Sequence, residues 1–136
     1  MKFADSFSCF CDCAKVARLM DFPQPPTWDT VSTENPMFAY ILARGVEILD
    51  SKNNTINSKP NTVKLFKLIY ASNKQQEFRL ELVHIYKDEN YCSNSWLVKL
   101  DCNGRYIAAP TYNGTICLFN AKSGKLVDTL EMHSGK

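Results

Sequence analysis

The sequence has few of the residues from which catalytic sites are commonly built. Its 136 residues include two histidines and five glycines, and they contain neither a glycine-rich phosphate-binding loop nor a nucleophile elbow. Charge of one sign is also scarce, because 16 basic and 14 acidic side chains leave a net charge of only +2. A dedicated nucleic-acid-binding domain is normally strongly basic, and no apolar run approaches the ~18 residues of a membrane-spanning helix. We therefore expect no enzymatic activity, no direct contact with nucleic acid and no insertion into a membrane.

The composition is that of a folded domain. Hydrophobic residues make up 45% of the chain and charged residues 22%, close to the averages of globular proteins. The first ten residues are interrupted by Asp5, Ser6 and Ser8, so the apolar stretch of a secretory signal is missing. We expect an intracellular protein, in the nucleus or the cytoplasm, in which the six cysteines are free thiols.

Turn signals divide the C-terminal third of the chain into short runs of strand-forming residues. Asn113-Gly114 favours a two-residue type I′ hairpin, because both central positions of that turn need a positive φ. Further turns are predicted at Asp101–Gly104 and Ala121–Lys125. The turns separate four predicted strands, which are Trp96–Leu100, Arg105–Thr111, Thr115–Asn120 and Leu126–Leu130. Connections this short leave no room for a crossover helix, so the sequence predicts an antiparallel meander.

The third of these predicted strands is apolar on both of its faces. Ile116 to Phe119 are all apolar, whereas a strand with one solvated face alternates apolar and polar residues. The last strand is more polar and contains Asp128 and Thr129. This pattern indicates a small sheet stacked between neighbours with its last strand outermost, which is the arrangement of a propeller blade.

Residues 96–135, most clearly within 104–135, resemble a WD repeat. The matching positions are Gly104 in the first turn, Asn113-Gly114 at the Asp-Gly turn, Phe119-Asn120 at the Trp-Asp dipeptide, Ser123-Gly124 at the next turn, and Met132-His133 where the following Gly-His opens. The resemblance implies an all-β fold of antiparallel four-stranded blades belonging to a WD-repeat β-propeller.

In that family a Ser or Thr, a His, the Asp and the Trp form a hydrogen-bonded tetrad that braces the blade. The resemblance implies that Thr111 and His133 take two of these positions, while Phe119 and Asn120 replace the Trp and the Asp. The structural blade residues that it implies are Thr111, Asn113, Gly114, Phe119 and His133. Phe119 is then expected to pack between blades, and no cofactor or metal is implied.

The upstream half shows a less regular alternation of strands and turns. The predicted strands are Trp28–Val31, Met37–Ala43, Val46–Asp50, Val63–Tyr70 and Phe78–Tyr86. Arg44-Gly45 is predicted to be a turn, and the polar residues 51–61, which contain Pro60, a loop. We interpret residues 27–90 as a divergent blade with the polar loop 51–61. Its order of features also resembles that of Polycomb-group WD-repeat subunits.

Two further segments complete the predicted organisation. Residues 91–136 form the WD-repeat blade and the start of the next one, and residues 1–26 form an N-terminal segment. Within the latter, Ala14–Met20 fits either a short helix or the outer strand of a preceding blade. WD repeats need about 40–45 residues and propellers 4–8 blades, so a chain of 136 residues supplies an incomplete propeller. We favour a piece of a longer protein over a ring completed by other chains.

The remaining polar groups have structural interpretations. Alternate strand residues share a face, so Cys9, Cys11 and Cys13 could converge on a metal ion. Structural zinc sites use cysteines two to four apart with a second ligand pair elsewhere, so we prefer ordinary packing. His84 is interpreted as a structural histidine. The lysines of one basic stretch are interpreted as a solvated surface: Lys52, Lys59, Lys64, Lys67 and Lys74.

The sequence therefore predicts a non-enzymatic scaffold that binds other protein subunits or peptides in a multi-subunit complex. The remaining propeller blades would come from the same chain or from another one. An alternative of the same class is a chromatin-associated adaptor that reads a histone-like tail. The alternative of another class is a small metal-binding or enzymatic β domain.

Overall fold

A computed structural model describes residues 10–46, 48–50, 55–56, 62–92 and 99–131. These residues form strands and connections without any helix, as the all-β prediction requires. The first four-stranded sheet contains β1 (Phe10–Ala17), β2 (Phe38–Val46), β5 (Thr62–Ile69) and β6 (Arg79–Lys87). The second contains β7 (Asp101–Cys102), β8 (Tyr106–Pro110), β9 (Thr115–Asn120) and β10 (Leu126–Glu131). A small hairpin of β3 (Ile48–Asp50) and β4 (Thr55–Ile56) lies between β2 and β5 in the chain.

Each four-stranded sheet is an antiparallel meander in which neighbours in space follow one another along the chain. The first sheet has the order β1-β2-β5-β6, interrupted in sequence only by the β3–β4 hairpin, and the second has the order β7-β8-β9-β10. All pairings in both sheets are antiparallel. The described fold therefore repeats one unit, a four-stranded antiparallel meander, twice along the chain.

Register places apolar residues on both faces of the first sheet. Leu42 of β2 lies opposite Lys15 on one side and Leu65 on the other, and these side chains share one face. The neighbouring positions Ile41 and Phe66 pair on the opposite face. This two-sided apolar pattern is what a sheet stacked between other layers needs.

The core lies between the two sheets. Leu42, Val63 and Leu65 of the first sheet are buried against Ile107 and Phe119 of the second. The same cluster includes Leu19 from the β1–β2 connection and Tyr91 from the connection between the sheets. The two meanders thus share one hydrophobic core and pack face to face.

The C-terminal strand predictions are confirmed closely. Thr115–Asn120 is the strand β9 as predicted, and β8 and β10 lie within a residue of their predicted bounds. The first predicted strand is displaced, because β7 begins at Asp101 and residues 99–100 are not in a strand. Residues 96–98 lie outside the described part of the chain.

The hairpin at Asn113-Gly114 is longer than predicted. Thr111 and Thr115 close it, since the Thr111 amide donates to the Thr115 carbonyl at 2.8 Å, so that residues 112–114 form a three-residue loop. Gly114 has φ 87°, which is the left-handed position that three-residue hairpins use. The prediction of a turn was confirmed and that of a two-residue turn was wrong.

Two upstream predictions were also wrong. Trp28–Val31 is not a strand, because Thr30 donates its amide to the Thr27 carbonyl at 3.0 Å and closes a turn there. Arg44-Gly45 is not a turn, because Arg44 lies opposite Val63 inside β2. A charged residue followed by glycine is a common surface signal, and here a long central strand overrides it.

The N-terminal segment contains a strand, β1, in the same sheet as β2, β5 and β6, whereas the predicted alternative to a helix was the outer strand of a preceding blade. Phe10–Ala17 forms β1 and pairs with β2, so the short helix considered for Ala14–Met20 is absent. The polar stretch 51–61 contains β4, and its other residues lie outside the described part of the chain. Val63–Tyr70 and Phe78–Tyr86 correspond to β5 and β6, with β6 at the sheet edge as expected.

Candidate functional site

Equivalent strands of the two sheets lie over one another. Lys15 of β1 forms an ion pair with Asp101 of β7, and this hydrogen bond raises the pKa of Lys15 and lowers that of Asp101. Directly after these strands, the Met20 amide donates to the Gly104 carbonyl at 3.0 Å. The first strand of one sheet therefore meets the first strand of the other.

The outer halves of the sheets meet at a second set of contacts. The hydroxyl of Tyr86, in β6, donates to the carbonyl of Ala121 after β9 at 2.6 Å. Burial raises the pKa of Tyr86. Close by, a Cβ built on Gly124 would lie 1.7 Å from His84 Nε2. The β9–β10 turn thus packs closely against β6, and a side chain at position 124 would have to displace the His84 imidazole.

Phe119 is fully buried at this junction. Its ring centroid lies 6.0 Å from that of Tyr86 and 6.0 Å from that of Tyr91, the latter ring standing almost perpendicular at 84°. Edge-to-face arrangements of this kind add to the stabilisation from burial alone. The structure therefore places Phe119 between the two sheets, surrounded by aromatic residues of the first sheet and of the inter-sheet connection.

The other residues implied by the WD resemblance lie in two local turns. Thr111 Oγ1 accepts the Thr115 amide at 3.1 Å and also hydrogen-bonds the side chain of Asn113. Asn120 Oδ1 accepts the amides of Lys122 at 3.0 Å and Ser123 at 2.9 Å. Each side chain braces its own hairpin in these contacts. His133, the remaining member of the predicted set, lies outside the described residues.

The first sheet presents an apolar face away from the shared core. Val16, Ile41, Phe66 and Leu82 form one row of cross-strand partners on this outer face. Val16 remains 66% exposed and Leu82 44%, and Ile85 in the neighbouring row is 41% exposed. Phe66, in the middle of the row, is buried, so the exposed apolar side chains of this face lie on the two edge strands and not in one continuous patch.

The outer face of the second sheet is mixed, because its central row of cross-strand partners runs from Asp101 through Ala108 and Leu118 to Asp128. Tyr106 and Leu130 are exposed there, and Ala108 pairs with Leu118 between them. A shallow depression of about 170 Å³ opens beside Tyr106 and Leu118. The inside of the stack is thus apolar, and each outer face carries some exposed apolar side chains among polar ones.

Cysteines and lysines take structural places in the described part of the chain. Cys13 is buried and Cys11 is exposed, and among the described residues no group of three His, Cys, Asp or Glu side chains could hold a metal ion. Cys9 lies outside them. Lys67 places its Nζ 4.0 Å from the Phe38 ring, so this lysine covers an aromatic ring instead of forming part of an open cationic patch.

Sequence reasoning missed the aromatic residues that join the sheets. Tyr86 ends the predicted strand Phe78–Tyr86 and Tyr91 begins the segment 91–136, and the sequence marks neither as a core residue, although both are fully buried. The residues around Tyr86 and Tyr91 are largely polar, so no apolar periodicity indicates that these two side chains are buried. Their burial comes from packing against the second sheet. The predicted strand Trp28–Val31 likewise gave no indication that the side chain of Trp28 is exposed.

Comparisons with known proteins return no relative. No family model matches the chain, and no curated protein or solved structure matches it either. Within the described residues there is no helix with the length and apolarity that crossing a membrane requires. The geometry of the two sheets therefore carries the functional argument.

Proposed function

We propose that this chain is part of a WD-repeat β-propeller that acts as a non-enzymatic scaffold for protein–protein interactions in a multi-subunit complex. The observation that carries the proposal is the stacking of two consecutive four-stranded meanders with first strand over first strand. Propellers are built by repeating this unit around an axis. Their rigid sheets present loops and edges to partner proteins.

The exposed apolar side chains of the outer faces support the same proposal. Each blade of a propeller buries both of its faces against neighbours, and blades at an open end leave one face bare. Here the outer rows containing Val16 and Leu82 on one sheet, and Tyr106 and Leu130 on the other, are partly exposed. Further blades, from the same chain or from another, would cover both faces.

The proposal predicts that the outer faces are contact surfaces. We expect the 136-residue protein to associate as its concentration rises, measured by sedimentation velocity. Leu82→Lys should weaken that association and leave the far-ultraviolet circular dichroism spectrum unchanged, because this side chain is 44% exposed on the outer face. A charge there opposes burial of the face against any apolar neighbour.

The matched control is Glu81→Lys. It adds positive charge to the same strand, but on the opposite face, where Glu81 pairs in register with Lys67. Association should persist in this variant. A protein that stays monomeric at all concentrations and unfolds cooperatively would contradict the proposal and indicate a self-sufficient β domain.

A further inference from the structure

The strand β6 leaves one of its two edges open. It stands last in the sheet order β1-β2-β5-β6 and, within the described residues, it pairs with β5 alone. With nine residues it is also one of the two longest strands in the described part of the chain. An open edge carries a row of backbone N–H and C=O groups on which a further strand can form. The position of β6 therefore suits it to pairing with an extended segment of protein.

A β-bulge divides this edge into two parts. The pairing of β6 with β5 is regular from Arg79 to Leu82, and the register then shifts between Leu65 and Phe66, which leaves Val83 as the extra residue. A bulge bends and twists its strand and interrupts regular pairing along it. Regular pairing with a further strand is therefore confined to one side of Val83, and the regular part that precedes it has a distinctive sequence.

Every second residue of the part before the bulge is apolar. Leu80 and Leu82 lie on the outer face of the first sheet. Phe78, directly before β6, continues this alternation, and its ring centroid lies 5.5 Å from that of Tyr70, directly after β5. Phe78 is 47% exposed and Leu82 44%. One face of this short segment is therefore apolar and accessible.

The two residues between these apolar positions carry opposite charges on the other face. Arg79 and Glu81 are both exposed, and Arg79 Nη1 lies 3.8 Å from Glu81 Oε1. The segment Phe78–Leu82 is thus apolar, positive, apolar, negative and apolar in turn. It is symmetric about Leu80 in its apolar positions and antisymmetric in its charges. An antiparallel copy centred on Leu80 therefore brings each charge opposite its counter-charge.

We infer that the β6 edge binds the β6 edge of a second copy of this chain, antiparallel, with Leu80 opposite Leu80 on a two-fold axis. In this register Arg79 of each copy faces Glu81 of the other, and Phe78 faces Leu82. Opposite charges, and aromatic residues opposite aliphatic ones, stabilise antiparallel strand pairs. A two-fold interface of this kind uses the same surface on both subunits.

The same residues disfavour the neighbouring registers. Moving the two-fold axis by one residue along the strand places Arg79 opposite Arg79 or Glu81 opposite Glu81, and like charges directly opposite each other are destabilising. Moving it by half a residue pairs the apolar face of one strand with the charged face of the other. The segment is therefore complementary to itself in a single register. This contact goes beyond the proposed function, because a strand edge and not a sheet face forms it.

The test is oxidative cross-linking of a Leu80→Cys variant of the 136-residue protein, with dissolved oxygen as oxidant and copper–phenanthroline as catalyst, followed on non-reducing gels. Residues directly opposite in antiparallel strands have Cα atoms about 4.5–5.5 Å apart, which is within the range of a disulfide. We expect covalent dimers of Leu80→Cys. Two controls should form far fewer: Ile85→Cys, exposed on the same face beyond the bulge, and the wild-type protein with its own six cysteines.

Charge variants in the Leu80→Cys background test the register. Arg79→Glu places like charges opposite each other at two pairs of the dimer and should slow cross-linking about tenfold. Glu81→Arg should have the same effect. An equimolar mixture of these two variants restores counter-charges between chains, so mixed dimers should form as readily as those of Leu80→Cys alone. Each chain in the mixture still carries like charges within itself, so recovery can come only from contact between chains.

Three results would overturn the inference: equal cross-linking of Leu80→Cys and Ile85→Cys, cross-linking that Arg79→Glu leaves unchanged, or a mixture that reacts no faster than its components. If circular dichroism shows that Leu80→Cys is unfolded, sedimentation equilibrium of the charge variants with native Leu80 gives the same comparison, because the mixture should associate more tightly than either component. Association with rising concentration but without the cross-link would reject this inference and leave the proposed function standing.

Discussion

Phe119 shows how one residue can hold two sheets together. It belongs to the second sheet, yet its neighbouring rings, Tyr86 and Tyr91, belong to the first sheet and the connection. The WD resemblance implies a Trp at this position, and the structure gives the smaller ring a fully buried place between aromatic partners. Its role here is packing against the rings of Tyr86 and Tyr91.

Substitution of Phe119 tests this role. Phe119→Ala should lower the free energy of unfolding by about 3–5 kcal/mol, because a fully buried ring is removed. Phe119→Trp should lower it by about 1–3 kcal/mol, the usual cost of overpacking. Lys125→Ala, at an exposed turn position, should stay within about 0.5 kcal/mol. Chemical denaturation measures all three, and a near-neutral Phe119→Ala would refute the anchoring role.

Asn120 illustrates a replacement that keeps a local function. Its side-chain oxygen accepts two backbone amides of the following turn, which a carboxylate or an amide can do equally well. The charge that the WD dipeptide would supply is therefore not needed for this turn. The uncharged side chain of Asn120 is therefore sufficient to support the β9–β10 turn.

At the scale of elements, the β9–β10 turn is fitted to the edge strand of the other sheet. Gly124 has φ 76°, and the imidazole of His84 occupies the space where a side chain would begin. The backbone conformation therefore favours glycine at this position, and the imidazole of His84 adds a steric obstacle to any side chain there.

A double-mutant cycle separates these two effects. Gly124→Ala should lower the free energy of unfolding by about 1–3 kcal/mol through its strained backbone alone, and by more because of the clash. In a His84→Ala background the same change should cost less, since the clash is gone, with a coupling of about 0.5–3 kcal/mol. Equal costs in the two backgrounds, measured by thermal and chemical denaturation, would show that His84 moves aside freely.

The success of sequence reasoning also differed between elements. Strands β8 to β10 could be predicted because glycine turns such as Ser123-Gly124 fix their ends locally. The first sheet was harder to predict, because the segment that joins β1 and β2, residues 18–37, gives a mixed signal. Its prolines indicate a loop, whereas its threonines are common in strands. Burial of Arg44 inside β2 depends on long-range pairing, and no local signal could have shown it.

At the scale of the whole molecule, Tyr86 links the two sheets and makes their association depend on pH. Its buried hydroxyl donates to Ala121, and burial raises its pKa above the value of about 10 in an unfolded chain. As pH rises through 10, the unfolded chain releases this proton and the folded chain keeps it. Stability is therefore full below pH ~10 and falls above it.

Tyr86→Phe should change both the size and the pH dependence of stability. At neutral pH we expect a loss of about 1–3 kcal/mol, because the Ala121 carbonyl loses its buried donor. Between about pH 10 and 11 the variant should lose stability less steeply than the wild type, since one phenol no longer titrates. Tyr112→Phe, in the exposed hairpin, serves as the control. Parallel pH profiles for Tyr86→Phe and wild type, from urea denaturation, would contradict the assignment.

The sequential strand order within each sheet has a consequence for the time course of folding. Every strand pair of the second sheet is joined by a short turn, so its loop-closure entropy is small. In the first sheet, β1 and β2 must find each other across residues 18–37, and β2 and β5 across residues 47–61. Since folding rates fall as contacts become more distant in sequence, the second meander should form early and offer its Phe119 face as the surface on which the slower first meander assembles.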